Sequence, residues 1–445
     1  MTSRSEQLTA MVELARGGRT EAFVALADKL EPADLADVLA ALDDEERLRV
    51  VRALPPELSG EALAEMPGES HAEETLVALD PEQAAEILEG LEDDDAADLL
   101  RDLDPEQQER ILAEVEDRSE VDRLLRYDEE SAGGRMTTHV VTVRDTDTAA
   151  QALETIRRQA DRVEDFYQIF VVDGARRLAG IVPLKDLVTH LPDRPVREFM
   201  TGAEHSVQPD VDQEEVARVM ARYNLESVPV VDPAGRLLGR VTFDDVIDVV
   251  EAETTEDILR FGGGAGDEAL TGGWNEAVRS RLPWLYVNLL TAFIAAGVVY
   301  VFRDTVHRVV TLAVWMPIIA GMGGNAGTQA LAVTVRRLAL GRVRPEQSAR
   351  VLGKEILVGL TNGLAVGVVV AIVAVVLGEG ARLGLVVFLA LAGNLLVAGF
   401  AGALIPVVLA RAGVDPAVAS SVFVTTFTDS CGFLLLLGMA AWLLL

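Results

Sequence analysis

The chain has one cysteine, Cys431, few aromatic residues (5%) and only five histidines. A single cysteine excludes an intrachain disulfide. His71, His139, His190, His205 and His307 stand far apart in the chain, so zinc or copper chemistry has no ligand set. No P-loop, metalloprotease or catalytic-triad pattern is present, and the chain reads as a non-enzyme. The opening residues MTSRSEQLTA lack the apolar core of a signal peptide, so the front part is expected to stay on the cytoplasmic side.

Acidic residues are scarce in one half only. Of 71, six lie after residue 282: Asp304, Glu346, Glu355, Glu379, Asp415 and Asp429. Of 39 basic residues, ten do, which leaves −36 on the first part and +4 on the second. So large an acidic excess argues against nucleic acid and anionic lipid as partners of the front part and favours cations.

The second part has uncharged stretches at Pro283–Phe302, Val309–Val335, Ile356–Gly378 and Leu383–Ala410, then Pro416–Leu445 with Asp429 its one charge. Each reaches the roughly 20 residues that a helix needs to cross hydrocarbon, which predicts five transmembrane helices. Arg336, Arg337, Arg342, Arg344, Arg350 and Lys354 between the second and third place that loop and the front part in the cytoplasm, and the C-terminus outside. A multi-pass protein of the plasma membrane follows, with the lipid bilayer as a partner.

Polar groups within these segments are few. Gly321–Ala330 reads GMGGNAGTQA; Asn362 and Asn394 mark the third and fourth spans; the fifth has Thr425, Thr426, Thr428, Asp429 and Ser430. A lone asparagine in a span is read as interhelical glue. A carboxylate flanked by hydroxyls is read as a ligand for a hard cation, since an ionisable group in a span is costly and oxygen donors suit such ions. Two such helices on a twofold axis would ring one pore with two carboxylates.

The first part opens with short helical repeats. Leu30, Leu42 and Leu54, then Leu79, Leu91 and Leu103, are spaced by 12, and LDPEQAAEILEG, LEDDDAADLLRD and LDPEQQERILAE are successive copies. Asp80, Pro81 and Gln83 have the pattern of a capping box with proline at the first helical position. Such repeats bury their apolar faces only by stacking, which predicts a superhelix. A second repeat follows, with IFVVDGARRLAGIVPLKDLV (169–188) matching VPVVDPAGRLLGRVTFDDVI (228–247) at an offset of 59. Each copy opens on Met-Thr and reads helix, strand, turn, strand, helix. Residues 246–261 then form an acidic helix leading toward the first span.

The tandem copies resemble a pair of CBS domains, which implies a small-ligand site, often for an adenine nucleotide. Thr242 and Asp245 match the Thr-x-x-Asp signature of that family, whereas the first copy has Pro183 before Asp186. The whole order of parts, with GGNAGTQ and TD-x-x-G in the spans, resembles the MgtE family of magnesium channels. The implied fold is multidomain: an all-α superhelical domain (1–133), α/β CBS domains (134–197 and 198–250), a connecting helix and linker (251–279) and a five-helix membrane domain (280–445).

The resemblance implies a homodimer with Asp429 and Asn325 at the pore and Mg2+ as the ion. It further implies cytoplasmic Mg2+ sensing by Asp94, Asp98, Asp212, Glu214, Asp245, Asp248, Glu253, Glu256, Asp257 and Asp415, with ATP a possible ligand of Thr242 and Asp245. Asn224 stands where the family pattern leads one to expect an acid. Two other readings remain at this point: a carrier of Mn2+, Co2+ or Ca2+, and a nucleotide-sensing membrane receptor.

Overall fold

The computed structural model describes residues 4–67, 70–159, 163, 166–262, 273–339, 348–416 and 421–445, apart from the side chains of Glu276 and Ser348. It divides into two units, Met1–Glu251 and Ala252–Leu445.

The first unit begins with α1 (Arg4–Arg16), α2 (Thr20–Ala27), α3 (Pro32–Ala40), α4 (Asp44–Val51), α5 (Pro56–Ala64), α6 (Ala72–Val77), α7 (Pro81–Glu89), α8 (Asp93–Arg101), α9 (Pro105–Leu112) and α10 (Ser119–Leu124). Proline begins α3, α5, α7 and α9, where its missing N–H costs nothing. The odd-numbered helices stack in one row from α1 to α9, and the even-numbered helices from α2 to α10 in another. Leu42, Leu54, Leu79 and Leu103 of the repeat are buried between the rows, as the periodicity predicts. The capping box expected at Asp80 does not form: Asp80 makes no side-chain cap, and Gln83 Oε1 is buried without a partner. The same pattern does close in the next copy, where Asp104 accepts from Gln107 N and Gln107 Oε1 accepts from Asp104 N.

The repeat after residue 135 folds as β1 (Thr142–Arg144), α11 (Ala149–Gln159), β2 (Gln168–Val172), β3 (Leu178–Pro183) and α12 (Leu184–Thr189), then α13 (Gln213–Tyr223), β4 (Ser227–Val231), β5 (Leu237–Thr242) and α14 (Phe243–Phe261). β1 pairs parallel to β2, β2 antiparallel to β3, and β4 antiparallel to β5. The two hairpins share register and irregularity, with Val171 opposite Gly180 and Val230 opposite Gly239. The opening Met-Thr segments are exchanged: Thr137 bridges Arg240 of the second copy, and Thr201 bridges Ile181 of the first. Gly180 and Gly239 are glycine because a Cβ there would strike the backbone carbonyls of Thr201 and Thr137. The copies therefore interlock, which the linear division at 197 does not convey.

The second unit has α15 (Trp274–Val301), α16 (Arg303–Arg308), α17 (Leu312–Ala339), α18 (Ser348–Val376), α19 (Ala381–Arg411) and α20 (Ser421–Leu443). At 1.5 Å per residue, the 28 residues of α17 span about 42 Å, ample for a bilayer. Four helices, within α15, α18, α19 and α20, are long and apolar enough to cross a membrane. The expected fifth, α17, meets the length but not the composition, because its glycines, Asn325, Thr328 and Gln329 dilute its hydropathy. α19 is the centre, packed by α17, α18 and α20. Along α18, Gly359, Gly363 and Gly367 fall one turn apart, and a Cβ at Gly363 would lie 2.8 Å from the Ala392 carbonyl oxygen. This is the small-residue ridge by which helices approach closely in lipid.

Candidate ion pathway and cation-sensing sites

In α20, Asp429 is half-buried, and among the described residues its carboxylate meets no hydrogen-bond donor and no cation. The threonine hydroxyls beside it serve their own helix, whereas Ser430 Oγ is buried without a partner. Thr425 and Thr426 donate to Val422 O at 3.1 and 2.7 Å, and Thr428 donates to Thr425 O at 3.0 Å. Thr428 is fully buried against α17, where Gly323 leaves room for it. Asn394 of α19 closes the same crossing, its Nδ2 donating to Ile319 O of α17 at 2.9 Å. A Cβ on Gly432 would lie 2.7 Å from that nitrogen, so Asn394 is wedged between α17 and α20. It is interhelical glue, as expected; Asn362 is exposed.

Asn325 is exposed on α17 and shares no described bond with Asp429. Gly321, Asn325, Gln329 and Arg336 form an outward stripe at helical spacing, opposite the buried Gly323, Gly327 and Ala330. Near the basic end of α17, Arg337 pairs with the buried Glu355 of α18 at 3.6 Å. Arg342 and Arg344 lie outside the described residues.

In the first unit, the acids named from the sequence separate into distinct groups. Asp94 on α8 is buried, Asp245 on α14 is half-buried, and the two are within electrostatic reach of each other. Burial drives the Asp94 carboxyl well above its ordinary value, and Asp245, Asp95 and Glu92 add to the rise. Burial lifts Asp245 to about 7, despite its hydrogen bonds from Thr242, with Asp244 adding to the rise. Oδ1 of Asp94 is buried with no hydrogen-bond partner. Two desolvated carboxylates, one with an orphaned oxygen, therefore face each other at an energetic cost.

Asp98, one turn along α8, is held differently. Arg101 Nε reaches it at 3.2 Å and Arg135 Nη1 at 2.9 Å. Asp93 accepts from Thr137 Oγ1 and from Thr138 N, both at 3.0 Å, and from the Thr138 hydroxyl. A further group gathers at Asp248, whose carboxyl is raised by burial and by Glu251 and Asp244, while Arg135 opposes the rise. Glu65, at the end of α5, is raised by burial and by Asp248 and Asp244. Glu65 lies far from these partners in sequence, and no local motif marks it.

Asp212 and Glu214 are exposed at the start of α13, where Asp212 is the N-cap, accepting from Glu214 N at 2.8 Å. Asp212 also lines a polar cavity of about 410 Å³ with Arg126, Asp128 and Asp210. Asn224 is the left-handed C-cap of the same helix (φ 52°), a position that asparagine tolerates better than an acid with a longer side chain. Thr242 donates to Asp245, so the two residues of the nucleotide signature bond to each other.

In the second unit, Glu253, Glu256 and Asp257 lie on the final turns of α14. Arg260 pairs with Glu256 and, at 2.5 Å, with Asp415. Burial raises the Asp257 carboxyl, Asp415 adds to the rise, and Arg260 and Arg336 oppose it. Two of the expected sensing acids therefore share a guanidinium. Sequence reasoning passed over Arg135 and Arg260, because a basic residue in an acidic run reads as solvation. No group of three or more acidic, His or Cys side chains that could hold a metal ion occurs among the described residues.

Comparison with known proteins bears on the whole chain. Residues 316–439 match the family model of the MgtE divalent cation transporter, 30–130 that of the MgtE intracellular N domain, and 132–193 and 196–252 that of the CBS domain. The magnesium transporter MgtE of Thermus thermophilus is 38% identical, with 97% of each chain aligned. That of Bacillus subtilis is 32% identical over 98% of this chain and 97% of its own. The crystal structure of the cytosolic domain of the Mg2+ channel MgtE in complex with ATP superposes with a TM-score of 0.51 at 39% identity, over 54% of this chain and 99% of that one. The soluble part of a magnesium transporter matches with a TM-score of 0.52 at 30% identity, over 56% and 99%. This chain is a member of the MgtE family of divalent cation transporters.

Proposed function

We propose that the protein is a magnesium channel of the bacterial plasma membrane, admitting Mg2+ and closing when cytoplasmic Mg2+ binds the acidic sites of its front part. The observation that carries this is Asp429: the one carboxylate of an otherwise apolar helix, half-buried and without a partner among the described residues. Desolvated negative charge there is costly unless a cation uses it. Mg2+ keeps much of its hydration shell, so Asp429 would select by charge and distance around a hydrated ion.

The pore is formed by two copies on a twofold axis, with Asn325 near the ion. The outward stripe of Asn325, Gln329 and Arg336 supports this, because lipid would leave those groups unsatisfied. The exposed Phe243, Ile247 and Val250 of α14 offer an apolar face to the same partner. With α17 crossing the membrane in the shelter of α19 and α20, five spans place the C-terminus outside and the basic end of α17 in the cytoplasm.

For gating, Mg2+ bridges Asp94 and Asp245, where burial and repulsion leave the apo carboxylates destabilised. Asp212, Glu214, Asp248, Glu253, Glu256, Asp257 and Asp415 contribute negative charge around the closing faces. ATP binds the CBS pair, and its ribose competes for the Asp245 carboxylate with Thr242.

Mg2+ influx into liposomes carrying a trapped dye, for wild type and Asp429→Asn in parallel, tests the reading. Wild-type flux lost at least about 100-fold in the variant is expected, since a buried charged contact contributes several kcal/mol. Equal flux in both would remove Asp429 from the pathway, and Mn2+ or Co2+ uptake without Mg2+ uptake would replace the ion.

A further inference from the structure

The acids of α8 have unequal electrostatic surroundings. Asp94 and Asp98 stand one helical turn apart and the sequence treats them alike. Around Asp94 stand Glu92, Asp93, Asp95 and Asp245, and its Oδ1 is orphaned. Around Asp98 stand two guanidinium groups, one on each oxygen.

Arg135 belongs to the segment that enters the CBS pair, and it joins three parts of the unit. Its Nη1 holds Asp98 of α8 at 2.9 Å, its Nη2 lies 3.5 Å from Glu129, and its Nε donates to Gln213 Oε1 of α13 at 3.1 Å. Arg101 completes the arrangement by donating to the carbonyls of Leu124, Tyr127 and Gly134, which fixes the intervening chain. Asp93 grips Thr137 and Thr138 beside it, and Arg123 donates to Leu238 O at 3.3 Å. Beneath these bonds, Ala97 and Leu124 are buried in one apolar cluster with Met136, Val228 and Val241 of the CBS pair.

We propose that Arg135 is a resident cation of this joint: Asp98 is its partner and no ion ligand, and Arg135 supplies a Mg2+-independent share of the force that docks the helical domain on the CBS pair. Asp98 and Glu129 together are balanced by the two guanidiniums, which leaves no net negative charge for Mg2+ to neutralise, and an arriving dication meets repulsion from both arginines. The fork of an arginine also fixes the carboxylate geometrically, which a hydrated ion does less well. Mg2+ is thereby directed to Asp94 and Asp245, and it completes a closure that Arg135 has begun. This rests on the gating reading above only for its functional consequence; the docking itself is independent of transport.

The test uses the full chain in nanodiscs, with limited proteolysis of the segment around residues 125–135 in EDTA and in saturating Mg2+. Wild type is expected to be largely protected even in EDTA. Arg135→Gln is expected to be cut about ten-fold faster than wild type in EDTA, the loss of one charge-assisted contact, and to return to the wild-type rate in saturating Mg2+. Asp98→Asn should behave in the same way. The double variant should be cut no faster than either single one, because neither charge is then left uncompensated.

The proposal is overturned if wild type is cut in EDTA as fast as Arg135→Gln. It is equally overturned if Asp98→Asn is cut like wild type in EDTA yet loses Mg2+ protection, the behaviour of an ion ligand. Parallel flux assays keep the two readings apart: wild-type flux insensitive to internal Mg2+ would remove gating while leaving the EDTA cleavage pattern to decide the joint.

Discussion

The two units treat negative charge in opposite ways. The first has 59 acidic side chains and tempers several of them with guanidinium groups, as Arg135 and Arg101 do for Asp98. The second has twelve, and Asp429, midway along α20, is left without a partner among the described residues. Where water is available, surplus charge is affordable, and only the few carboxylates that burial deprives of solvent are electrostatically costly. Where water is absent, a single carboxylate stands out among apolar neighbours, and the helices around it are held by shape.

The comparison breaks most visibly if shape is removed from the membrane unit. A Cβ at Gly402 would meet Gly327 O of α17 and lie 2.8 Å from the Ala330 side chain. Gly402→Leu is expected to lower stability by about 3 kcal/mol or more, measured as loss of the folded fraction on heating in detergent. Retention of the wild-type melting temperature would mean that this crossing is looser than the structure shows.

Charge in the first unit gives the next largest effect, and it depends on pH. Asp245 has its carboxyl raised to about 7 in the docked state, against about 3.8 when exposed. The docked state then binds more protons between those values, so docking weakens as pH rises from about 4 to 7 and levels off above. Without Mg2+, protection from proteolysis should be greater at pH 6 than at pH 8. Asp245→Asn should reduce that difference and Asp94→Asn with Asp245→Asn should remove most of it, as should saturating Mg2+ in the wild type. A pH response unchanged in Asp245→Asn would assign it to other groups.

Backbone geometry gives smaller effects. Asn224→Ala should cost about 1 kcal/mol in thermal stability, whereas Asn224→Gly should cost nothing, because only the left-handed cap is at stake. A large loss of Mg2+ sensitivity in Asn224→Gly would instead give the side chain a sensing role. Arg176 has a left-handed backbone (φ 60°) at the hairpin position that Gly235 occupies in the second copy. Arg176→Gly should therefore stabilise by about 0.5–1 kcal/mol, read as a small rise in melting temperature.

How legible the site was follows the same division. Asp429 stood out because a charge in a span is visible against its surroundings in one dimension. Asp94 and Asp245 were legible as acids at suggestive spacings, but so were Asp98, Asp212 and Glu214, and spacing could not rank them. Glu65 gave no signal, since its neighbours Asp244 and Asp248 are brought to it only by folding. The capping pattern at Asp80 matched the one at Asp104, and only the second closed.

By itself, the sequence determined the parts and their order: a stacked helical array from a 12-residue leucine period, a duplicated CBS unit from a 59-residue offset, and apolar spans from uncharged runs. These are periodic or local properties, carried by neighbours along the chain. The tertiary structure alone decided which carboxylates lose water, which meet a guanidinium, and how the two CBS copies exchange their opening segments. Those outcomes depend on desolvation and on charges brought together from distant positions, and neither quantity has a value until the chain has folded.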